Sequence, residues 1–145
     1  MTIQTADTAE DLIGVLSVSD VPEDHLAVRT ALARNSSRVH TAGTCESAMK
    51  RLDRGGIAVV FCERDLPDGT WQDLLQYARA QSQPPLIIVA SRTADTQFWA
   101  EVLNLGGFDV VAKPFLASEL RHVLRSAWLR ARDASRDASS VLGAA

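Results

Sequence analysis

The sequence predicts an α/β protein: a doubly wound three-layer sandwich of five parallel strands and five helices. Three observations predict it. Five short runs rich in Val and Ile recur along the chain, and amphipathic stretches with helix-start and helix-stop signals separate them. The 145 residues, 46% hydrophobic and 23% charged, suffice for one domain with a real core. Strict alternation with short connections implies right-handed crossovers between parallel strands, and so helices on both faces of an open sheet.

The elements follow in order. Residues 1–12, MTIQTADTAEDL, are polar and aperiodic and are expected to form a flexible arm. The strands are read at IGVLSVS, RVHTA, IAVVFC, LIIVA and DVVA. The first helix, PEDHLAVRTALARN, opens on proline and two acids, and its inward face is read as Leu26, Val28, Leu32 and Ala33. CESAMKRLDRGG ends on a glycine pair suited to a left-handed cap. TWQDLLQYARAQ puts Trp71, Leu74, Leu75 and Ala78 on one stripe. TADTQFWAEVLNLGG again ends at glycines, and LASELRHVLRSAWLRAR carries Leu120, Val123, Leu124 and Ala127 at helical spacing. The domain is read as residues 13–130, with 131–145 a helix extension or solvated tail.

Composition excludes several classes. The net charge is -3, and the 15 Lys and Arg are spread along the chain, so no direct nucleic-acid binding is expected. No run of 18 apolar residues and no signal-peptide pattern occurs, so the expectation is a cytoplasmic protein without membrane contact. Cys45 and Cys62 lack metal-ligand spacing and are read as reduced, Cys62 as core filler. His25, His40 and His122 share no partner pattern, and no metal or phosphohistidine role is assigned to them.

Open parallel sheets keep their functional sites at the carboxyl ends of the strands. Those ends carry Ser19 and Asp20, Glu63, Ser91, and Lys113 with Pro114. Carboxylates, a hydroxyl and an ammonium within one cleft suit a divalent cation, a phosphoryl group, or both.

With these residues in place, the chain from about Ile13 to Leu129 resembles the receiver domain of two-component response regulators, the modules of phosphorelays. VLSVSDVPED resembles the family's acidic pair followed by proline, and ERDLPDG its acceptor loop. VAS, followed 22 residues later by KPF, resembles its hydroxyl and lysine positions. The resemblance implies a flavodoxin-like fold with strand order 2-1-3-4-5. It makes Glu63 the equivalent of the phosphoacceptor and Ser91, Val110, Lys113 and Pro114 the switch and phosphate-site positions. It places a magnesium ion at Asp20, Glu63 and the backbone of Asp65, with Ser19 nearby. It also implies that the Lys113–Pro114 bond is cis.

The departures from the family decide the expected function. Glu63 stands where the family has aspartate and is one methylene longer, Ser19 replaces an acid, and Val110 replaces an aromatic ring. The expected protein is a non-enzymatic, stand-alone pseudo-receiver that acts as a signalling interaction module, with phosphorylation lost or weakened and magnesium bound weakly. An ion pair between Glu63 and Lys113 would stand in for the contact made to a phosphorylated acceptor. The alternative is a magnesium-dependent phosphoacceptor served by a histidine kinase. A further alternative is a small hydrolase or nucleotide-binding protein on the same scaffold, although no Gly-rich phosphate loop follows the first strand. The expected partner is a protein, either a histidine kinase or a downstream signalling protein. Trp99 and Val102 on the fourth helix, with Trp128 on the last, mark a candidate interface that a homodimer could also use. Asp65 and Asp68 are otherwise read as loop acids.

Overall fold

The computed structural model describes residues 12–144. Of the expected arm, all but Leu12 lies outside the described residues. The elements run β1 (Ile13–Val18), α1 (Pro22–Ala31), β2 (Ser37–Ala42), α2 (Cys45–Asp53), β3 (Val59–Glu63), β4 (Asp65–Leu66), β5 (Gly69–Thr70), α3 (Trp71–Arg79), β6 (Leu86–Ser91), α4 (Thr96–Asn104), β7 (Asp109–Ala112) and α5 (Ala117–Ala144). The main sheet is parallel throughout in the order β2-β1-β3-β6-β7, which in its own five strands is 2-1-3-4-5. β4 and β5 form a separate antiparallel hairpin within the ERDLPDG loop, an element the sequence did not announce.

Two apolar layers sandwich the sheet. On one face α1 and α5 cover Val15, Val59, Phe61, Ile88 and Val111. On the other, α2, α3 and α4 cover Leu16, Val18, Val60, Cys62 and Val89. Side chains on a strand alternate between faces, so consecutive residues such as Val15 and Leu16 serve different layers; both are essentially inaccessible to water. Gly14 exists because β1 lies against the α2–β3 connection: a methyl there would fall 1.9 Å from the carbonyl oxygen of Gly56.

The helices begin where capping chemistry allows. Pro22 opens α1, Thr44 and Ser47 bond reciprocally at the start of α2, and Asp95 accepts from the Phe98 amide at 2.8 Å. Past the end of α2, Gly55 adopts a φ of 76°, the left-handed conformation that ends a helix cheaply only at glycine.

Helix phase corrects several expectations. α1 turns Asp24, Val28 and Leu32 inward at four-residue spacing, while Leu26 is 65% exposed and Ala33 is exposed. α4 buries Phe98 and Val102; Val102 is 0% exposed and cannot be an interface residue. Ala100 is exposed and Leu103 half-buried. Trp128 is also a core residue, 8% exposed, with its indole Nε1 donating to the Ser36 carbonyl at 2.8 Å. Of the three, only Trp99 lies at the surface. α5 continues as helix through residues 131–144, with Ala131 buried.

Candidate functional site

The parallel register brings the strand ends level. Val18 pairs with Cys62, Glu63 with Ala90, and Ser91 with Ala112. The ladder runs on past the strands, with the Lys113 amide donating to the Ser91 carbonyl at 3.0 Å and the Arg64 amide to Ala90 at 2.8 Å. Glu63 and Lys113 therefore leave the sheet at one level, on strands flanking β6.

At the centre, the Lys113 ammonium donates to Glu63 Oε1 at 2.7 Å and to Asp24 Oδ2 at 2.8 Å. All three side chains are largely covered: 9% exposed for Lys113, 8% for Asp24 and 16% for Glu63. Further hydrogen bonds hold the two carboxylates. Asp24 Oδ2 accepts from the Ser19 hydroxyl at 2.6 Å, Ser19 Oγ accepts from the Val21 amide at 3.0 Å, and Glu63 Oε2 accepts from the Arg64 amide at 3.0 Å. Burial alone lowers the Lys113 pKa, but hydrogen bonds to Asp24 and Glu63, helped by their negative charge, outweigh it, and the net direction is upward. The lysine is thus held charged in a site of two carboxylates.

Asp24 is the participant the sequence reading missed. A signal was present: it lies four residues before Val28, on the inward stripe of α1, where an acid is buried only with a partner. Ser19 does stand beside the site, but as the hydroxyl that holds Asp24. His25 steadies the same turn, with Nε2 donating to the Ser19 carbonyl at 3.0 Å and Nδ1 2.8 Å from the Ser17 hydroxyl. Because a carbonyl only accepts, Nε2 carries the hydrogen.

The other expected residues divide. Ser91 is buried at the mouth, but its hydroxyl meets Thr93 Oγ1 at 3.1 Å rather than Glu63 or Lys113. Thr93 Oγ1 also accepts from Arg64 at 2.7 Å, and the Arg64 guanidinium sits 4.3 Å from the centre of the Phe98 ring. Arg64 and Thr93 thus close one wall of the cleft, a part neither was given from sequence. Val110 is half-buried against the α2–α4 layer, and the Lys113–Pro114 bond is cis. Asp65 lies on the hairpin, exposed and paired with Thr70. Asp68 is structural. Its carboxylate accepts from the Cys45 and Glu46 amides at 2.7 and 3.0 Å and so caps α2, and these backbone bonds hold its pKa down.

The donors do not fit a magnesium ion. Of the acids expected to ligate it, Asp20 is exposed, whereas both oxygens of Glu63 are engaged and an ammonium lies between Glu63 and Asp24. A small cation that seeks carboxylate oxygens meets in Glu63 a carboxylate already neutralised by an ammonium. Among the described residues no three Asp, Glu, His or Cys side chains stand together as a metal site. No described helix is long and apolar enough to cross a membrane.

Comparison with known proteins agrees with this architecture. A family profile for the response regulator receiver domain matches residues 15–125. The transcriptional regulatory protein KdpE of Mycobacterium tuberculosis is 32% identical over 113 residues, 78% of this chain and 50% of that protein. The sensory transduction protein RegX3 of Mycolicibacterium smegmatis is 31% identical over 124 residues, 84% of this chain and 53% of that protein. The chain spans about half the length of these curated relatives. Among solved structures, the chemotaxis response regulator CheY4 of Vibrio cholerae superposes with a TM-score of 0.72 at 21% identity, covering 80% of this chain and 98% of that one. The Francisella response regulator 1452 receiver domain gives 0.71 at 22% identity, covering 81% and 97%.

Proposed function

The chain belongs to the response regulator receiver domain family, and from that premise we propose that it is a receiver locked in one charge state, which signals by docking to a protein partner rather than by accepting a phosphoryl group. Receiver domains bind magnesium at the phosphorylation site and meet histidine kinases and downstream proteins. In this chain the Lys113 ammonium, shared between Glu63 and Asp24, supports a different use of the site. A phosphoryl group would have to approach a Glu63 oxygen already bonded at 2.7 Å, without the cation that neutralises the incoming charge. Glu63 then serves as a permanent anion for Lys113, and Asp24 replaces the acid lost at Ser19. The outward surface of α4, β7 and α5, with Trp99 46% exposed on it, is the face a partner would read.

The test is incubation with acetyl phosphate and magnesium, followed by intact mass. The expected result is the unmodified mass at all times. A stable added phosphoryl group that disappears in Glu63→Gln would overturn the proposal in favour of a working phosphoacceptor.

A further inference from the structure

Two grooves lie on opposite sides of the sheet, outside the site described above. Between α1 and α5 a groove of about 830 Å³ carries Arg34, Arg121, His122 and Arg125, with no acidic residue in its lining. None of these three arginines forms an ion pair among the described residues, and all three are exposed. Between α2 and α3 a groove of about 800 Å³ carries Glu46, Asp53, Asp68 and Asp73, with Lys50 as its one cation. α1 and α5 pack on one face of the sheet and α2 and α3 on the other, so the grooves cannot neutralise each other within one copy.

We propose that the basic α1–α5 groove of one copy receives the acidic α2–α3 face of a second copy, giving head-to-tail association of this chain. Guanidinium groups pair with carboxylates through fixed forks, which suits the three arginines. Of the four acids Glu46 carries no internal side-chain bond among the described residues, while Asp53 takes the Tyr77 hydroxyl and Asp68 and Asp73 take backbone amides. The lining of the basic groove holds no Phe, Tyr or Trp, and the acidic face of a second copy offers carboxylates as its counterpart. A contact between two different patches is heterologous, so copies add head to tail, in rows or closed rings, instead of stopping at a two-fold dimer. Exposed ion pairs contribute little each, so the association is weak and is screened by salt.

The test is sedimentation velocity of the full chain at low and high salt, repeated with two variants. Arg121→Gln/Arg125→Gln disables the basic groove, and Glu46→Gln/Asp53→Asn disables the acidic face while sparing Asp68, which caps α2. Circular dichroism checks that both fold. The wild type is expected to form species larger than a dimer at low salt and to be monomeric at about 0.5 M salt, where the screening length falls well below 10 Å. Each variant alone is expected to be monomeric, and an equimolar mixture to give a one-to-one dimer through the single intact pair of faces. A monomeric wild type at about 1 mM and low salt, an arginine variant that still associates, or folded variants whose mixture stays monomeric would each overturn it.

Discussion

Replacing Lys113 by methionine is expected to destabilise the protein by about 2–3 kcal/mol. The substitution keeps the volume of the stem and removes the ammonium that bridges Asp24 and Glu63. Both carboxylate oxygens touch the same nitrogen, at 2.8 and 2.7 Å, so they are no more than 5.5 Å apart. At an effective dielectric constant of about 20, two unit charges at that separation repel by about 3 kcal/mol. Glu63, at 16% exposure the most accessible of the three side chains, relieves part of this by turning to water. Urea denaturation of wild type, Lys113→Met, Glu63→Gln and the double variant reads the effect, with a fall in Tm of roughly 6–12 °C as a second measure. The sign of Glu63→Gln is diagnostic. It is expected to cost stability when Lys113 is present and to restore about 1–2 kcal/mol when Lys113 is absent, because it then removes one of two repelling charges. The pH dependence must agree. The folded pKa of Lys113 lies above its usual 10.5, so the folded protein holds this proton more tightly than the unfolded chain does. The stabilisation is therefore fully present below about pH 10.5 and lost as pH rises through the folded value, and the gap between wild type and Lys113→Met narrows there. A Lys113→Met protein within about 0.5 kcal/mol of wild type, or an effect of Glu63→Gln that is the same in both backgrounds, would refute the reasoning.

Other consequences can be checked singly. Val102→Ala removes a fully buried side chain and is expected to cost about 2 kcal/mol in urea denaturation, whereas Trp99→Ala at the surface should cost under about 1 kcal/mol; equal effects would contradict the phase of α4. Gly14→Ala puts a methyl against the Gly56 carbonyl and is expected to lower stability by about 3 kcal/mol or to prevent expression of folded protein; a neutral result would show that the α2–β3 connection moves freely. Burial first, and then Asp68 and Asp73, push the Cys45 thiol up to about 11, against 9.0 for a free cysteine. At pH 8 its thiolate fraction is therefore about 100-fold smaller than that of a free thiol. Alkylation by iodoacetamide, followed by mass spectrometry, should be slower by about 10-fold or more in the folded protein, since a thiolate of higher pKa is more nucleophilic and offsets part of the difference.

Much of this protein was legible in its sequence because the information is local. Runs such as IAVVFC and LIIVA, short and rich in β-branched residues, read as buried strands, and the helices CESAMKRLDRGG and TADTQFWAEVLNLGG end at glycine pairs. Alternation then dictates parallel strands, and parallel strands bring Glu63, Ser91 and Lys113 to one edge whatever the side chains do there. What the sequence left open depends on rotation and reach. A helix turns about 100° per residue, so a small error of phase puts Val102 outside and leaves Asp24 unnoticed, although Phe98 with Val102, and Asp24 with Val28, each mark an inward stripe. The strand ends alone bring Glu63 and Lys113 to one cleft, and the family resemblance marked them as a pair. The third member arrives from a helix 89 positions away from Lys113, and nothing local connects the two. The sequence by itself determined the sheet, its covering helices and the edge at which chemistry would lie. Only the tertiary structure decided that the charge there is closed by two acids and one ammonium, because that closure rests on side chains from separate elements meeting within 3 Å in a place from which water is largely excluded.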